Sequence, residues 1–203
     1  MHRPEWLFFD LGSTLIDETA AYARRIRETI DGSPVTVSAF EAAFKGPSAQ
    51  GIDGYAAATA QFGLSKTPWH SEEELPYADA EAVLGALKRR GYRLGVIANQ
   101  QPGTEARLRR WNLLRFFDVI AASADVGAAK PDPSIFLWAL RHADCAPQNA
   151  VMIGDRIDND ILPAKALGMK TVRILSGPSA AYRPANDPAD RTIPSLPDLL
   201  LMF

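Results

Sequence analysis

The sequence predicts a doubly wound α/β fold, a parallel sheet with helices on both faces, carrying a small α-helical insertion after its first strand. Two observations predict it. Four short apolar segments, 7–10, 94–99, 119–123 and 151–155, run without polar alternation and close on Asp10, Asn99, Ser123 and Asp155. Strands covered on both faces read that way. Between them lie stretches of helical periodicity, and such alternation argues a parallel sheet with right-handed crossovers. A fifth strand is expected over 171–175.

The elements follow in order. The first strand runs from Trp6 into Asp10, an acid that no apolar core asks for, poised to attack an electrophile or to hold a metal. Residues 18–76 then break the alternation. A helix is expected over 22–30, with Ile26 and Ile30 on one face and Arg24, Arg25 and Arg27 on others. Phe40 and Phe44 mark a second, stopped by Gly46-Pro47, and an alanine-rich third spans 55–62. Each is too short to stand alone, so they should pack together. The expected division is therefore a core of residues 1–17 and 77–203 and a helical cap of 18–76 lying over the catalytic edge. Ala80, Val83, Leu84 and Leu87 follow helical spacing, with basic residues and Gly91 as the stop. Ser134 is expected to cap one later helix and Asp160 another that ends at Gly168. Residues 176–190 read as a loop and 196–203 as a short docked helix.

Composition narrows the function. The 203 residues carry a formal net charge of −2 with both signs interspersed, which leaves no electrostatic footprint for nucleic acid or a membrane surface. No apolar run approaches the roughly 18 residues of a membrane span. The sequence reaches Arg3-Pro-Glu5 without an apolar signal region, and its one cysteine, Cys145, fits a reducing compartment, so a cytoplasmic location is expected. His2 and His142 have no spaced metal partners and read as surface residues.

In a doubly wound sheet ligands bind beyond the carboxyl ends of the strands, where Asp10, Asn99 and Asp155 all stand. Four stations occur in order: Asp10-Leu-Gly12-Ser-Thr14, Val96-Ile-Ala98-Asn99, Lys130-Pro-Asp-Pro133 and Gly154-Asp155-Arg-Ile-Asp158-Asn-Asp160. Together they resemble the four motifs of the haloacid dehalogenase-like hydrolase superfamily, over essentially the whole length. The resemblance implies a Rossmann-like core with a helical, C1-type cap, and a Mg²⁺-dependent phosphatase acting on a small phosphorylated molecule. The protein would work as a monomer or homodimer. Asp10 would be the nucleophile and Lys130 the cation that meets the phosphoryl group. Leu11, Gly12, Thr14, Ala98, Asn99 and Lys130 would form the phosphate site. Asp10, Asp155 and the main-chain carbonyl of Gly12 would hold the metal, with Asp160 and Asp158 in the next shell. Spacing favours Asp160 for the outer acid, and Asp158 also reads as a loop-capping residue.

Two departures bear on activity. Gly12 stands where the family usually keeps a second aspartate, the acid–base group for the leaving alcohol, a role typically worth about 10²–10⁴-fold. Ala98 replaces a hydroxyl that would donate to the phosphoryl oxygens, a loss on the order of 10²–10³-fold by analogy with other transition-state donors. Ser13, Asn99 or Gln100 are the candidates to compensate. These departures support an alternative reading, a degenerate member that binds a phosphorylated ligand or partner without turnover. They also argue against a phosphomutase, while the Gly154-Asp155 pair argues against the dehalogenase branch. Lys45 and Lys66, the possible Schiff-base amines of a phosphonate-cleaving member, read as surface charges. Trp69 and His70 either line the cleft or pack as a hinge.

Overall fold

The computed structural model describes residues 3–203. Its main sheet has six parallel strands in the order β5-β4-β1-β6-β7-β8: β1 (Trp6–Phe9), β4 (Arg93–Ala98), β5 (Val119–Ala122), β6 (Ala150–Gly154), β7 (Lys170–Ile174) and β8 (Arg191–Ile193). β1 is central and pairs with both β4 and β6. Its four residues are buried, and their alternation divides the core. Leu7 and Phe9 face α4 (Ala80–Arg89), which contributes Val83, Leu84 and Leu87. Trp6 and Phe8 face α7 (Pro133–His142), which contributes Ile135, Phe136 and Ala139. A sheet covered on both faces needs apolar residues at every strand position, as the sequence has. His2 lies outside the described residues, while His142 is exposed and stacks on Trp138.

A second, two-stranded sheet joins β2 (Ile16–Asp17) antiparallel to β3 (Leu75–Pro76), tying the two crossings of the chain between the sheet and the helical insertion. Between them stand α1 (Thr19–Ile30), α2 (Val37–Ser48) and α3 (Gly54–Gln61), whose Ile26, Phe40, Phe44, Tyr55 and Ala58 form an apolar cluster of their own. The remaining helices are α5 (Thr104–Arg110), α6 (Ser123–Val126) and α8 (Leu162–Ala166).

Several local expectations are corrected. α2 does not stop at Gly46-Pro47 but runs to Ser48, because the Ser48 hydroxyl donates to the Phe44 carbonyl at 2.8 Å and holds the turn where Pro47 has no N–H. Asp132, not Ser134, caps α7: its carboxylate accepts from the Ser134 N–H at 2.8 Å, and Pro133 takes the first helical position. Asp160 lies inside a wide turn, Ile157–Ile161, ahead of α8 rather than at a helix cap. β2, β3, β8 and α5 carry too few periodic residues to be read from sequence. The closing segment forms, as expected, a short docked helix, a 3₁₀ helix over Leu196–Leu201 held through Leu196 and Leu199.

Arg24, Arg25 and Arg27 divide their roles. Arg24 binds Glu28, Glu72 and Glu73; Arg25 donates to the Thr67 carbonyl and lies 3.8 Å over the Tyr55 ring; Arg27 is exposed. His70 holds Glu28 at 2.6 Å and Glu72 at 3.0 Å, clamping α1 to the returning chain. The Glu28 hydrogen bond raises the His70 pKa above its ordinary 6.5. A raised folded-state pKa contributes stability that is complete below the unfolded value and is lost as pH rises through the folded one. The melting-temperature deficit of His70→Gln should therefore be full at about pH 5.5 and fade by about pH 9, a range that brackets the imidazole titration. A deficit that stays level across this range, measured by thermal unfolding, would refute the clamp.

Candidate active site

β1 delivers Asp10 to the carboxyl edge between its two neighbours, and the Asp10 N–H completes the ladder on the Ile153 carbonyl at 2.9 Å. β6 delivers Asp155 beside it. Lys130 arrives from the loop before α7, with a cis peptide to Pro131. Asn99, at the end of β4, holds that loop in place: its Oδ1 accepts from the Lys130 N–H at 2.7 Å and its Nδ2 donates to the Lys130 carbonyl at 2.8 Å. The ammonium is thereby aimed between two carboxylates, donating to Asp10 at 2.7 Å and to Asp160 at 2.5 Å. Asp160 also accepts from the Arg156 N–H at 3.0 Å. Gly154 permits this approach, since a Cβ there would stand 2.6 Å from Asp160 Cβ.

Lys130, Asp155 and Asp160 are buried, and each shows the strain of gathering charge out of water. Burial works against the Lys130 charge, but Asp10 and Asp160 outweigh it and its pKa is pushed up to about 12. Burial raises the Asp155 pKa well above the ordinary carboxylate range, and Asp160 and Asp10 add to the effect. Asp160 moves up for the same first reason, with Lys130 pulling against it. Carboxylate oxygens of Asp10, Asp155 and Asp160 lie within 4.8 Å of one another. Three acids converge on one lysine, and convergent hard oxygens suit a small divalent cation.

The cavity above this cluster, about 170 Å³, is lined from both sides. The core supplies Asp10, Gly12, Ser13, Asn99, Lys130 and Asp155, and the helical insertion supplies Glu18, Tyr22, Phe44 and Asp53. The sequence-predicted residues thus separate. Asp10, Gly12, Asn99, Lys130, Asp155 and Asp160 line the cavity, whereas Leu11, Thr14 and Ala98 are buried behind it. The Thr14 hydroxyl has no hydrogen-bond partner among the described residues. Asp158 stays apart, half-exposed and bound to Arg156 at 2.5 Å, so it does not join Asp160 around Lys130. Lys45 is exposed and bound to Glu41, and Lys66 is exposed. Trp69 lines a second cleft beside Glu18, Arg25 and Gln100, with its indole N–H on Glu74 at 2.7 Å.

Glu18 and Arg173 escaped sequence reasoning, and Ser13, a candidate there, takes a part the sequence did not show. Glu18 opens the helical insertion and folds back over Gly12, where a Cβ would come within 2.8 Å of the Glu18 carboxyl carbon. The residue is half-buried and lines the cavity. Burial pushes its pKa up to about 8, against the pull of a 2.8 Å hydrogen bond from Ser13 Oγ. Ser13 itself sits at φ 56°, a left-handed conformation uncommon outside glycine. Arg173, fully buried in β7, donates to the carbonyls of Ser179 and Tyr182 and binds Asp187, holding the loop that carries Ser179 to the cavity. An acid near Gly12 was the only sequence signal for Glu18, and none marked Ser13's conformation or Arg173.

A model of the haloacid dehalogenase-like hydrolase family matches residues 7–174. The chain belongs to that family. Among relatives of this haloacid dehalogenase-like protein is the glyceraldehyde 3-phosphate phosphatase of Methanopyrus kandleri, 36% identical over 113 residues, which cover 55% of this chain and 48% of that one. The chain spans about half the length of the curated relatives it matches first. A solved haloacid dehalogenase-family phosphatase from Thermococcus onnurineus superposes with a TM-score of 0.69 at 25% identity, covering 98% of this chain and 97% of that one. A superfamily hydrolase from Ehrlichia chaffeensis shares the fold, with a TM-score of 0.66 at 20% identity and coverages of 100% and 97%.

Removing one member of a buried charge pair typically costs about 3–5 kcal/mol. Lys130→Met, which leaves three carboxylates facing one another, should lose stability of that order in urea unfolding of the metal-free protein. A loss below about 1 kcal/mol, the range of exposed pairs, would show that Lys130 does not hold the cluster.

Proposed function

We propose that this family member is a Mg²⁺-dependent phosphatase that hydrolyses a small phosphorylated metabolite through phosphorylation of Asp10. The observation that supports this reading is the Lys130 bridge between Asp10 and Asp160, with Asp155 converging on the same space. Phosphoryl transfer asks a protein chiefly for positioning and neutralisation of charge. Lys130 holds one oxygen of Asp10 and leaves the other to attack phosphorus, while its own charge faces the transferring group. Asp160 keeps the ammonium in register. Asp10, Asp155 and the Gly12 carbonyl would hold Mg²⁺, which would supply positive charge to the three converging carboxylates.

The cavity supports a small substrate, since its roughly 170 Å³ falls below the about 300–1,000 Å³ of sites for drug-sized ligands. The relative named for glyceraldehyde 3-phosphate points the same way. The helical insertion acts as the cap that closes the site and selects the organic part, through Tyr22, Phe44 and the turn at Asp53. One observation favours the second reading, binding without turnover. Ala98 offers no hydroxyl, and the amide of Asn99, the next residue, is already committed to the Lys130 main chain.

A screen of sugar phosphates, triose phosphates, nucleotides and acyl phosphates with Mg²⁺ tests both. Turnover should appear, vanish with chelator, and fall to background in Asp10→Asn. Mg²⁺ should also raise the melting temperature of the wild type and not that of Asp155→Ala. Turnover that survives Asp10→Asn removes the nucleophile. Phosphate and Mg²⁺ binding with no turnover on any substrate favours the binding protein.

A further inference from the structure

We propose that Glu18 protonates the departing alcohol and then takes the proton of the attacking water, so that the first residue of the helical insertion supplies the acid–base chemistry of the site. The inference rests on the phosphatase reading above. Phosphate-ester cleavage at a carboxylate nucleophile leaves two proton transfers to arrange, one to the leaving oxygen and one from water. Of the proton-bearing groups lining the cavity, most are otherwise engaged. Lys130 donates to Asp10 and Asp160. Arg156 is paired with Asp158. The Ser13 hydroxyl donates to Glu18 itself. Tyr22 is packed edge-on against Trp69 and tilted against Phe44, and its burial beside Glu18 and Asp155 makes its proton harder to remove.

Glu18 differs from all of these. It lines the cavity together with Asp10, and among the described residues no cation pairs with it and the Ser13 hydroxyl is its hydrogen-bond partner. Its carboxyl fills the space over Gly12 that a side chain there would otherwise occupy. Gly12 is thus the residue that makes room for it, and the φ 56° of Ser13 turns the hydroxyl that orients it. Ser176 in turn holds the Ser13 carbonyl, and Gly177 packs against the Ser13 side chain where a Cβ would collide. A chain of contacts from the C-terminal loop therefore fixes where the Glu18 proton is presented.

The steps balance as follows. An Asp10 carboxylate oxygen bonds to phosphorus, the bond from phosphorus to the ester oxygen breaks, and that oxygen keeps the electron pair and takes the Glu18 proton. The alcohol leaves, with Asp10 phosphorylated and Glu18 a carboxylate. Water then attacks phosphorus, gives one proton to Glu18, and the bond from phosphorus to Asp10 breaks. Inorganic phosphate leaves, and both carboxyl groups return to their starting states.

Glu18→Gln keeps the size and the acceptor for Ser13 but removes the exchangeable proton. With alkyl phosphates, which need a protonated leaving group, kcat should fall by about 10²–10⁴-fold while KM holds. With 4-nitrophenyl phosphate, whose leaving group departs unaided, the first step should survive and the second should stall. The expected trace is a burst of one nitrophenolate per protein followed by slow turnover. An equal fall for both substrate classes with no burst, or no fall for either, would overturn the assignment while leaving the Asp10 reading in place. Should circular dichroism show Glu18→Gln unfolded, Glu18→Ala/Gly12→Asp replaces it. That variant returns a carboxyl to the vacated space, and it should recover at least about 10-fold in kcat over Glu18→Ala, part of the worth of an acid–base group. No recovery counts against Glu18. A wild type that turns over no phosphate ester refutes the phosphatase reading and this inference together.

Discussion

Lys130 is the member on which the site depends. A buried ammonium is tolerated only with full compensation, and here two carboxylates from different parts of the chain supply it. Asp10 comes from the central strand, Asp160 from a wide turn after β6, and Lys130 from a loop that Asn99 at the end of β4 grips through both main-chain atoms. The strand order β4-β1-β6 is what sets these three sources side by side. Any shift of one strand against another would leave a charge unpaired in the interior. The electrostatics of the edge and the register of the sheet therefore constrain each other.

The helical insertion meets this edge within a few residues of Asp10. Gly12, Ser13 and Glu18 all lie in the loop and short strand that lead from the sheet into α1, and β2 is pinned to β3 where the chain returns. Glu18 is at once the residue before the first helical turn and one of the acids that line the cavity. A movement of the insertion over the core would carry Glu18 with it. Under the reading proposed here, closing the cap and presenting the proton are one event. Arg173 completes the enclosure by binding the loop that bears Ser179 from beneath, so a buried cation again trades its hydration for a fixed set of carbonyls and one carboxylate.

Much of the architecture was legible because its cause is local. Leu7, Phe8 and Phe9 are apolar at successive positions because both sheet faces are covered, and that requirement shows in the letters themselves. Gly91 ends α4 at φ 86°, as a glycine after a basic last turn suggests. Asp10, Asn99 and Asp155 were legible as edge residues because a strand's end is also its polar boundary. β8 and the β2–β3 pair were not, since two or three residues hold no period. The last turn of α2 was not, because a side chain supplied what Pro47 lacks. Asp158 and Asp160 could be ranked only by spacing, and the turn Ile157–Ile161 directs them apart, one to Arg156 and one to Lys130.

Beyond Lys130, which the family resemblance supplied, the sequence by itself determined the fold class and the strand ends on which Asp10, Asn99 and Asp155 sit. These follow from periodicity and polarity along the chain, which are short-range properties. Only the tertiary structure decided that Asn99 is spent on holding Lys130, that Thr14 and Ala98 lie behind the cavity, and that Glu18 fills the space over Gly12. Those outcomes depend on which side chains from distant segments compete for the same few ångströms, and no property of neighbouring letters records that competition.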